Sequence, residues 1–159
     1  TIVNITSVAG RIAAVAQAPY VASKWAFEGL SEELAQEVAR FGVRVAIIEP
    51  GVTKSSIFSK NTEAHNESGA YAEHYERMFQ MYAAGYLHAS DAIEVAEVVR
   101  QAIESDQPRL RYTVSWGGRE LVEGRARMTD EEWIELGRPG PLADYMTAFE
   151  QAFGLDIRT

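Results

Sequence analysis

The stretch Pro19-Tyr20-Val21-Ala22-Ser23-Lys24 organises the rest of this 159-residue chain. Pro19 suits the first turn of a helix, where its missing N–H would have no partner. Tyr20 and Lys24 are four residues apart, so both side chains lie on one helix face, one turn apart. A nearby cation favours the phenolate and lowers a phenol pKa from its usual value of about 10. The pair can therefore supply an activated phenol for proton transfer, the alternative being an ordinary solvated Tyr/Lys pair.

Two apolar segments flank this helix and predict a crossover between parallel strands. Residues 2–6 predict a buried strand that exits through Ser7-Val8-Ala9-Gly10. Residues 43–48 predict the next strand, which ends in Glu49-Pro50-Gly51. A strand, a helix and a strand in that order imply parallel pairing, and ligands of such sheets bind beyond the carboxyl ends of the strands. Ser7, the Pro-Gly turn and the start of the helix are therefore expected at one rim of the sheet.

Three segments together resemble the short-chain dehydrogenase/reductase family in their order and spacing. They are Ile-Thr-Ser7-Val-Ala-Gly, Tyr20-Val-Ala-Ser-Lys24-Trp-Ala and Ile48-Glu-Pro50-Gly51. The resemblance implies that Ser7, Tyr20 and Lys24 are catalytic. Tyr20 would exchange a proton with the substrate oxygen, Lys24 would lower its pKa and hold the nicotinamide ribose, and Ser7 would hydrogen-bond the reacting oxygen. Residues 26–34 resemble more locally the branch that contains hydroxysteroid and retinol dehydrogenases.

This resemblance implies NAD or NADP as cofactor and a reaction that interconverts a secondary alcohol and a ketone. Proton transfer through Tyr20 would accompany hydride transfer. Two alternatives stay open, namely an epimerase or dehydratase on the same fold and a non-catalytic fragment or scaffold that lacks the dinucleotide loop. The resemblance also implies a set of cofactor-binding residues, which are Tyr20, Lys24, Pro50, Gly51, Val52, Thr53 and Ser55.

The predicted fold class is α/β, with a doubly wound, Rossmann-like parallel sheet that is incomplete. It would hold the last three strands and a helical carboxyl-terminal extension. No Gly-x-Gly-x-x-Gly segment occurs in the chain. Residues 1–159 are therefore predicted to be the carboxyl-terminal part of a single dinucleotide-binding and catalytic domain, with 51–90 as a substrate-flap region and 115–159 as the extension. Made alone, such a chain is not expected to fold as a stable monomer, because its apolar strand edge lacks a neighbour.

Apolar periodicity places the remaining elements along the chain. The helix that begins at Pro19 is predicted to end near Phe41, before Gly42, and to bury a stripe made of Phe27, Leu30, Leu34, Val38 and Phe41. Capping signals at Asp91 and Thr129 mark two later helix starts. No element is predicted for 117–128. The predicted later elements are helices over 69–86, 91–104, 129–136 and 142–153 and a strand over 110–114.

Five aromatic residues recur at helical spacing within the flap region. The favoured interpretation is ordinary packing onto the domain, and the functional alternative is an aromatic wall above a flat apolar substrate. His65, His74 and His88 have no ligand spacing, so no metal site is expected. The five aromatic residues are Tyr71, Tyr75, Phe79, Tyr82 and Tyr86.

The formal charge of −8 argues against nucleic acid or an anionic membrane as the main partner. The chain has no cysteine and no apolar run of about 18 residues, which predicts neither disulfides nor a membrane span. These features favour a cytoplasmic protein. The family resemblance implies a small-molecule alcohol or ketone as its substrate, which is expected to be apolar. Ala22, Ala26 and Gly29 would let another helix approach closely. The family resemblance implies a homo-oligomer, a dimer or a tetramer, at this surface, with packing inside one subunit as the alternative.

Overall fold

In this computed structural model, which describes residues 1–57 and 69–159, three parallel strands form an open sheet in the order β1-β2-β3. The strands are β1 (Ile2–Ile5), β2 (Val45–Pro50) and β3 (Arg111–Val114). Ile2 pairs with Val45, and Ile47 pairs with Arg111. Helices lie on both faces of the sheet, so the predicted α/β, doubly wound parallel arrangement is confirmed.

Helices connect and extend the sheet in the order that the sequence predicts, with one addition. The predicted capping boxes at Asp91 with Glu94 and at Thr129 with Glu132 are both present. The addition is a helix over 118–127, a segment that has no strong local signal for a helix. The helices are α1 (Ala18–Ala39), α2 (Ala72–His88), α3 (Ala92–Glu104), α4 (Gly118–Arg127), α5 (Asp130–Leu136) and α6 (Leu142–Phe153).

The face of the sheet that carries α3 is apolar. Ala46 and Ile48 of β2 and Tyr112 of β3 are buried there against Ala102 of α3. Valine side chains of β1, α3 and β3 complete this cluster. Alternate residues of a strand point to opposite faces, so the residues between these project toward α1.

The face of the sheet that carries α1 includes polar residues, and the predicted apolar stripe is wrong at two of its five positions. Leu30 is 58% exposed and Phe41 is 71% exposed, whereas Glu28 and Ser31 are buried. One reason is the polar residue that β1 presents, because Asn4 donates a hydrogen bond to Ser31 Oγ over 2.9 Å. The inward side of α1 therefore carries hydrogen-bonding partners, while the other three residues of the stripe, Phe27, Leu34 and Val38, are half-buried.

A second apolar cluster joins the carboxyl-terminal extension to the substrate-flap helix α2. Phe149, Phe153 and Ile157 are buried in it, together with Ala84 of α2. Arg77 of α2 is buried as well, and its guanidinium donates hydrogen bonds to the backbone carbonyls of Leu136, Arg138 and Gly140. The extension is thus anchored to α2 by both apolar packing and hydrogen bonds.

Candidate active site

Ser7 lies two residues after the end of β1 and joins the carboxyl ends of the first two strands. Its hydroxyl accepts a hydrogen bond from the Ala9 backbone N–H over 3.1 Å and lies within 3.5 Å of the Pro50 carbonyl oxygen. The segment that follows is a 3₁₀ turn, Val8–Gly10, where the sequence predicts a plain exit loop. The turn forms because Ser7 caps it, which holds the serine hydroxyl at the rim of the sheet.

Tyr20 and Lys24 occupy the first two turns of α1 at the same end of the sheet. The Lys24 Nζ atom lies 5.7 Å from the centroid of the Tyr20 ring, as residues one turn apart allow. Both side chains are half-buried. Burial disfavours the ammonium and lowers the pKa of Lys24 from its usual value. The phenol therefore has a cation beside its ring in a partly dehydrated position.

Gly10 allows the serine turn and the catalytic helix to approach each other. A Cβ atom at this position would lie 2.6 Å from Cγ of Glu28 and 2.9 Å from the backbone oxygen of Lys24. Any larger side chain would push α1 away from the turn that follows Ser7. The absence of a side chain at Gly10 is therefore what brings the turn that follows Ser7 and the helix that carries Lys24 into close contact.

The loop that leaves β2 is held closely by the segment that leaves β3. The Gly51 N–H donates to the Val114 carbonyl over 2.8 Å, and the Val52 N–H donates to the Trp116 carbonyl over 2.9 Å. A Cβ atom at Gly51 would lie 2.2 Å from the Trp116 oxygen, so this close approach requires glycine. Pro50, Gly51 and Val52 are thus fixed at the rim where the resemblance predicts cofactor contacts.

Thr53 and Ser55, also predicted to bind cofactor, differ in their surroundings. The Thr53 hydroxyl is hydrogen-bonded to the Ser115 hydroxyl over 2.7 Å and is half-buried. Ser55 is exposed, and its hydroxyl lies 3.4 Å from the Ile57 backbone nitrogen. Between them, Lys54 forms a 2.9 Å ion pair with Asp91, whose hydrogen bond raises the pKa of the lysine. Lys54 is therefore neutralised by a carboxylate beside the predicted cofactor loop.

Sequence reasoning missed the contribution of residues 115–116 to this rim. Ser115 has a φ of 70°, a left-handed conformation that is uncommon for a residue with a side chain. Trp116 stacks on His88 of α2 with ring centroids 5.7 Å apart. The Gly117-Gly118 pair indicates a turn at this point. The pairing of its neighbours with the loop after β2 depends on tertiary contacts and has no local signal.

The substrate-flap helix α2 rests on the same loop. A Cβ atom at Gly85 would lie 2.9 Å from a methyl carbon of Val52, so the helix and the loop touch closely. The buried residues of α2 are Arg77, Met78, Ala84 and Gly85. The aromatic stripe lies elsewhere on the helix: Tyr75, Phe79 and Tyr82 are half-buried, and Tyr71 and Tyr86 are each 63% exposed. The two ends of the aromatic stripe are therefore not buried in the core.

Two other features complete the description of the site. Within 1–57 and 69–159, no three acidic or histidine side chains come together as a candidate metal site. His74 and His88 belong to those ranges, whereas His65 lies outside the residues that the structure describes. None of the helices in the described ranges combines the length and apolar character needed to cross a membrane.

Comparison with known proteins agrees with this geometry. A family model described as short chain dehydrogenase matches residues 1–66. The uncharacterized oxidoreductase YusZ of Bacillus subtilis is 34% identical over 121 residues, which cover 73% of this chain and 43% of that protein. Retinol dehydrogenase 5 of Homo sapiens is 33% identical over 136 residues, which cover 76% of this chain and 42% of that protein.

A solved structure gives the same result for the fold. The crystal structure of a short-chain dehydrogenase from Streptomyces avermitilis superposes with a TM-score of 0.67 at 33% identity, covering 85% of this chain and 51% of that one. The chain belongs to the short-chain dehydrogenase/reductase family, and it is similar to retinol dehydrogenases within that family. It spans about half the length of the curated relatives that it matches.

Proposed function

We propose that the protein is an NAD- or NADP-dependent oxidoreductase that interconverts a secondary alcohol and a ketone. One observation carries this proposal: Tyr20 and Lys24 start the helix that packs against the Ser7 turn, at the carboxyl end of β1 and β2. Membership of the short-chain dehydrogenase family supports both the cofactor class and the reaction. Ser7, Tyr20 and Lys24 are the proposed catalytic residues.

In the oxidation direction, Tyr20 accepts the hydroxyl proton of the alcohol as the carbon–oxygen double bond forms. Ser7 donates a hydrogen bond to the same oxygen and stabilises the charge that develops on it. Lys24 places a cation 5.7 Å from the centre of the Tyr20 ring, where it assists the proton transfer. Reduction of the ketone uses the same groups in reverse, with Tyr20 returning the proton.

The residues at the rim fit a nicotinamide cofactor. When bound, this cofactor supplies the acceptor or donor of the hydride that the substrate carbon loses or gains. Lys24 would hold its ribose hydroxyls, and the backbone and hydroxyl donors between Pro50 and Ser55 would meet its nicotinamide and phosphates. The donor set suits that task, because it combines one half-buried ammonium, the Thr53 hydroxyl and glycine backbone in a small volume.

The test of this proposal is Tyr20→Phe in the full-length protein, because it keeps the ring and removes the proton. Turnover of a secondary alcohol, measured by absorbance of the reduced cofactor, is expected to fall by about 100-fold or more while cofactor still binds. The matched control is Tyr112→Phe, which removes a hydroxyl that bonds the Arg109 backbone N–H. Retained turnover in Tyr20→Phe would refute the mechanism.

We further propose that the substrate is apolar and that the half-buried aromatic rings of α2 contact it. The close contact of Gly85 with Val52 supports this, because it seats α2 on the proposed cofactor loop. Phe79→Ala or Tyr82→Ala is then expected to raise KM for a bulky ketone more than for a small one. Cofactor affinity should change little. Equal effects on bulky and small ketones would indicate a packing role only.

A homo-oligomer formed through the outer side of α1 is proposed as well. Trp25 is 51% exposed there, and Leu30 adds a second large apolar side chain beside the small Ala22 and Ala26. Leu30→Glu is expected to shift the protein to a smaller species in analytical ultracentrifugation, because it places a charge in the apolar contact. An unchanged sedimentation coefficient would argue against this surface. A cytoplasmic location stays a prediction.

A further inference from the structure

A layer of charged and polar side chains lies between the sheet and α1, next to the buried Ile47 of β2. Thr6 follows β1, Glu49 lies near the end of β2 and Arg111 begins β3, and all three project toward α1. The helix contributes Glu28 to this layer, and Arg11 enters it from the segment after the 3₁₀ turn. Charged groups at a helix–sheet interface are uncommon, because their removal from water costs free energy unless they are paired.

Each buried carboxylate of the layer has specific partners. Glu28 is 4% exposed and accepts hydrogen bonds from the Thr6 hydroxyl over 2.5 Å and from Arg111 Nε over 3.1 Å. Glu49 is 1% exposed and lies 2.9 Å from Arg11 Nη1 and 3.4 Å from Arg111 Nε. Arg111 also bonds Glu32 on the next turn of α1. The layer thus connects Thr6 and β3 directly to α1, and it connects β2 to the helix through Arg111.

These contacts determine how α1 is seated on the sheet. Apolar packing is non-directional and tolerates small sliding of one element on another. Leu30 and Phe41 are exposed, so they do not fix the helix on this sheet, and the other large apolar residues of the predicted stripe are only half-buried. A hydrogen bond weakens steeply when its length or angle changes, so Glu28 and Ser31 restrict both the height and the rotation of α1.

The same contacts lie next to the proposed catalytic groups. Glu28 is one helical turn after Lys24 and two turns after Tyr20, on the same side of α1. Thr6 is the residue before Ser7. The hydrogen bond between Thr6 and Glu28 therefore links the strand end that carries Ser7 to the helix that carries Tyr20 and Lys24.

We propose that Glu28 is a positioning residue, which acts through Thr6 to hold Tyr20 and Lys24 in register with Ser7. This inference rests on the proposed function. Glu28 touches neither substrate nor cofactor in this role. Its task is to keep the phenol within reach of the oxygen that Ser7 binds, because proton transfer requires the two groups to meet at one atom.

The decisive variants are Thr6→Val and Thr6→Ser in the full-length protein. Valine keeps the shape of threonine and removes its hydroxyl, whereas serine keeps the hydroxyl. Thr6→Val is expected to lower kcat by about 10- to 100-fold, since a misplacement of about 1 Å has effects of that order. KM and cofactor affinity should change by less than about threefold, and Thr6→Ser should restore most of kcat.

Glu28→Gln gives an independent readout, with Glu33→Gln on the exposed side of the same helix as its control. Combining Thr6→Val with Glu28→Gln should cost less than the sum of the two single changes, because the two residues share one hydrogen bond. Both single variants should lower kcat more than they raise KM, and Glu33→Gln should change neither. A merely structural role would lower the free energy of unfolding without this split between kcat and KM.

The outcomes separate this inference from the proposed function. An active Tyr20→Phe variant overturns the proposed function and this inference with it. An inactive Tyr20→Phe variant beside a Thr6→Val variant with normal kcat overturns the positioning role alone. If Thr6→Val does not fold, Glu28→Asp, which keeps the charge and shortens the side chain, should still show the fall in kcat with little change in KM. A normal kcat in folded Glu28→Asp then overturns the positioning role.

Discussion

The two faces of this sheet use the same three strands in opposite ways. On the α3 face, Ala46, Ile48 and Tyr112 pack in an apolar cluster. On the α1 face, Arg111 of β3 pairs with Glu28 of α1 and with Glu49 of β2, and Leu30 of α1 is exposed. Apolar burial favours association over a range of geometries, whereas a paired buried charge is favourable in few. The α3 face therefore contributes mainly stability, and the α1 face contributes geometry at the rim.

The largest loss of stability is expected when the α1 face loses Arg111, the cation that Glu28 and Glu49 share. Arg111→Met leaves the buried carboxylates of Glu28 and Glu49 with one cation fewer and should lower the free energy of unfolding by about 4 kcal/mol. The control is Arg100→Met, which removes an exposed ion pair with Glu104 and should cost no more than about 0.5 kcal/mol. Denaturant titrations of both variants measure the difference. Similar losses would show that the buried layer behaves like a surface pair.

The apolar face is tested by Ile48→Ala. Ile48 is completely buried, so its truncation leaves a cavity and should lower the free energy of unfolding by about 3 kcal/mol. The folded fraction should keep a kcat within about twofold of the parent value, because no contact at the rim is removed. Ile103→Ala on the exposed side of α3 should cost less than about 0.5 kcal/mol. A large fall in kcat for Ile48→Ala would show that the α3 face also contributes to the geometry at the rim.

A smaller effect is expected from the neutral hydrogen bond on the polar face. Ser31→Ala removes the acceptor of the Asn4 side chain and should lower the free energy of unfolding by about 1 to 2 kcal/mol. Because this contact helps to orient α1, kcat is expected to fall by more than in Ile48→Ala despite the smaller loss of stability. Measurements of kcat and of the unfolding free energy for both variants check this. A larger fall of kcat in Ile48→Ala than in Ser31→Ala would contradict the division of roles.

The smallest effect concerns pH. Burial raises the pKa of Glu49 above its ordinary value of 4.5, and the nearby Glu28 adds to the rise while Arg11 and Arg111 oppose it. A raised pKa means that the folded state binds this proton more tightly than the unfolded state. The resulting stabilisation is complete below the ordinary pKa and is lost as pH rises through the raised value. The unfolding free energy of the parent minus that of Glu49→Gln should therefore decrease as pH rises across this window. A difference that increases over this window would mean that the arginines outweigh the burial.

Sequence reasoning was sufficient for the order of elements and for the strand–helix–strand unit, because periodicity and capping chemistry are local signals. The apolar stripe of α1 was predicted wrongly at Leu30 and Phe41 for a physical reason. Periodicity identifies an amphipathic helix, but it cannot tell which side meets a sheet whose own surface is polar. The clue was present on the strands, where Asn4, Thr6 and Glu49 fall on one face at a spacing of two.

The candidate site likewise has residues that the sequence predicts and residues that it does not. Ser7, Tyr20, Lys24 and the Pro-Gly turn can be found from sequence, because the strand–helix–strand order and the family resemblance relate them. Their roles stay predictions until the variants above are measured. The contributions of Ser115 and Trp116 could not be found in this way, because they reach the rim only through pairing across the ends of β2 and β3. Long-range pairing of this kind has no pattern within a single segment.

Trp116, which stacks on His88, is a fluorescent reporter at the rim of the sheet. The emission of an indole responds to the polarity of its surroundings, and this ring is half-buried beside the loop that leaves β2. Trp25 lies on the outer side of α1, and Trp133 lies in the carboxyl-terminal cluster against Phe153. The chain thus carries one tryptophan in each of three separate environments. Single-tryptophan variants could follow ligand entry, self-association and core melting in turn, without any added dye.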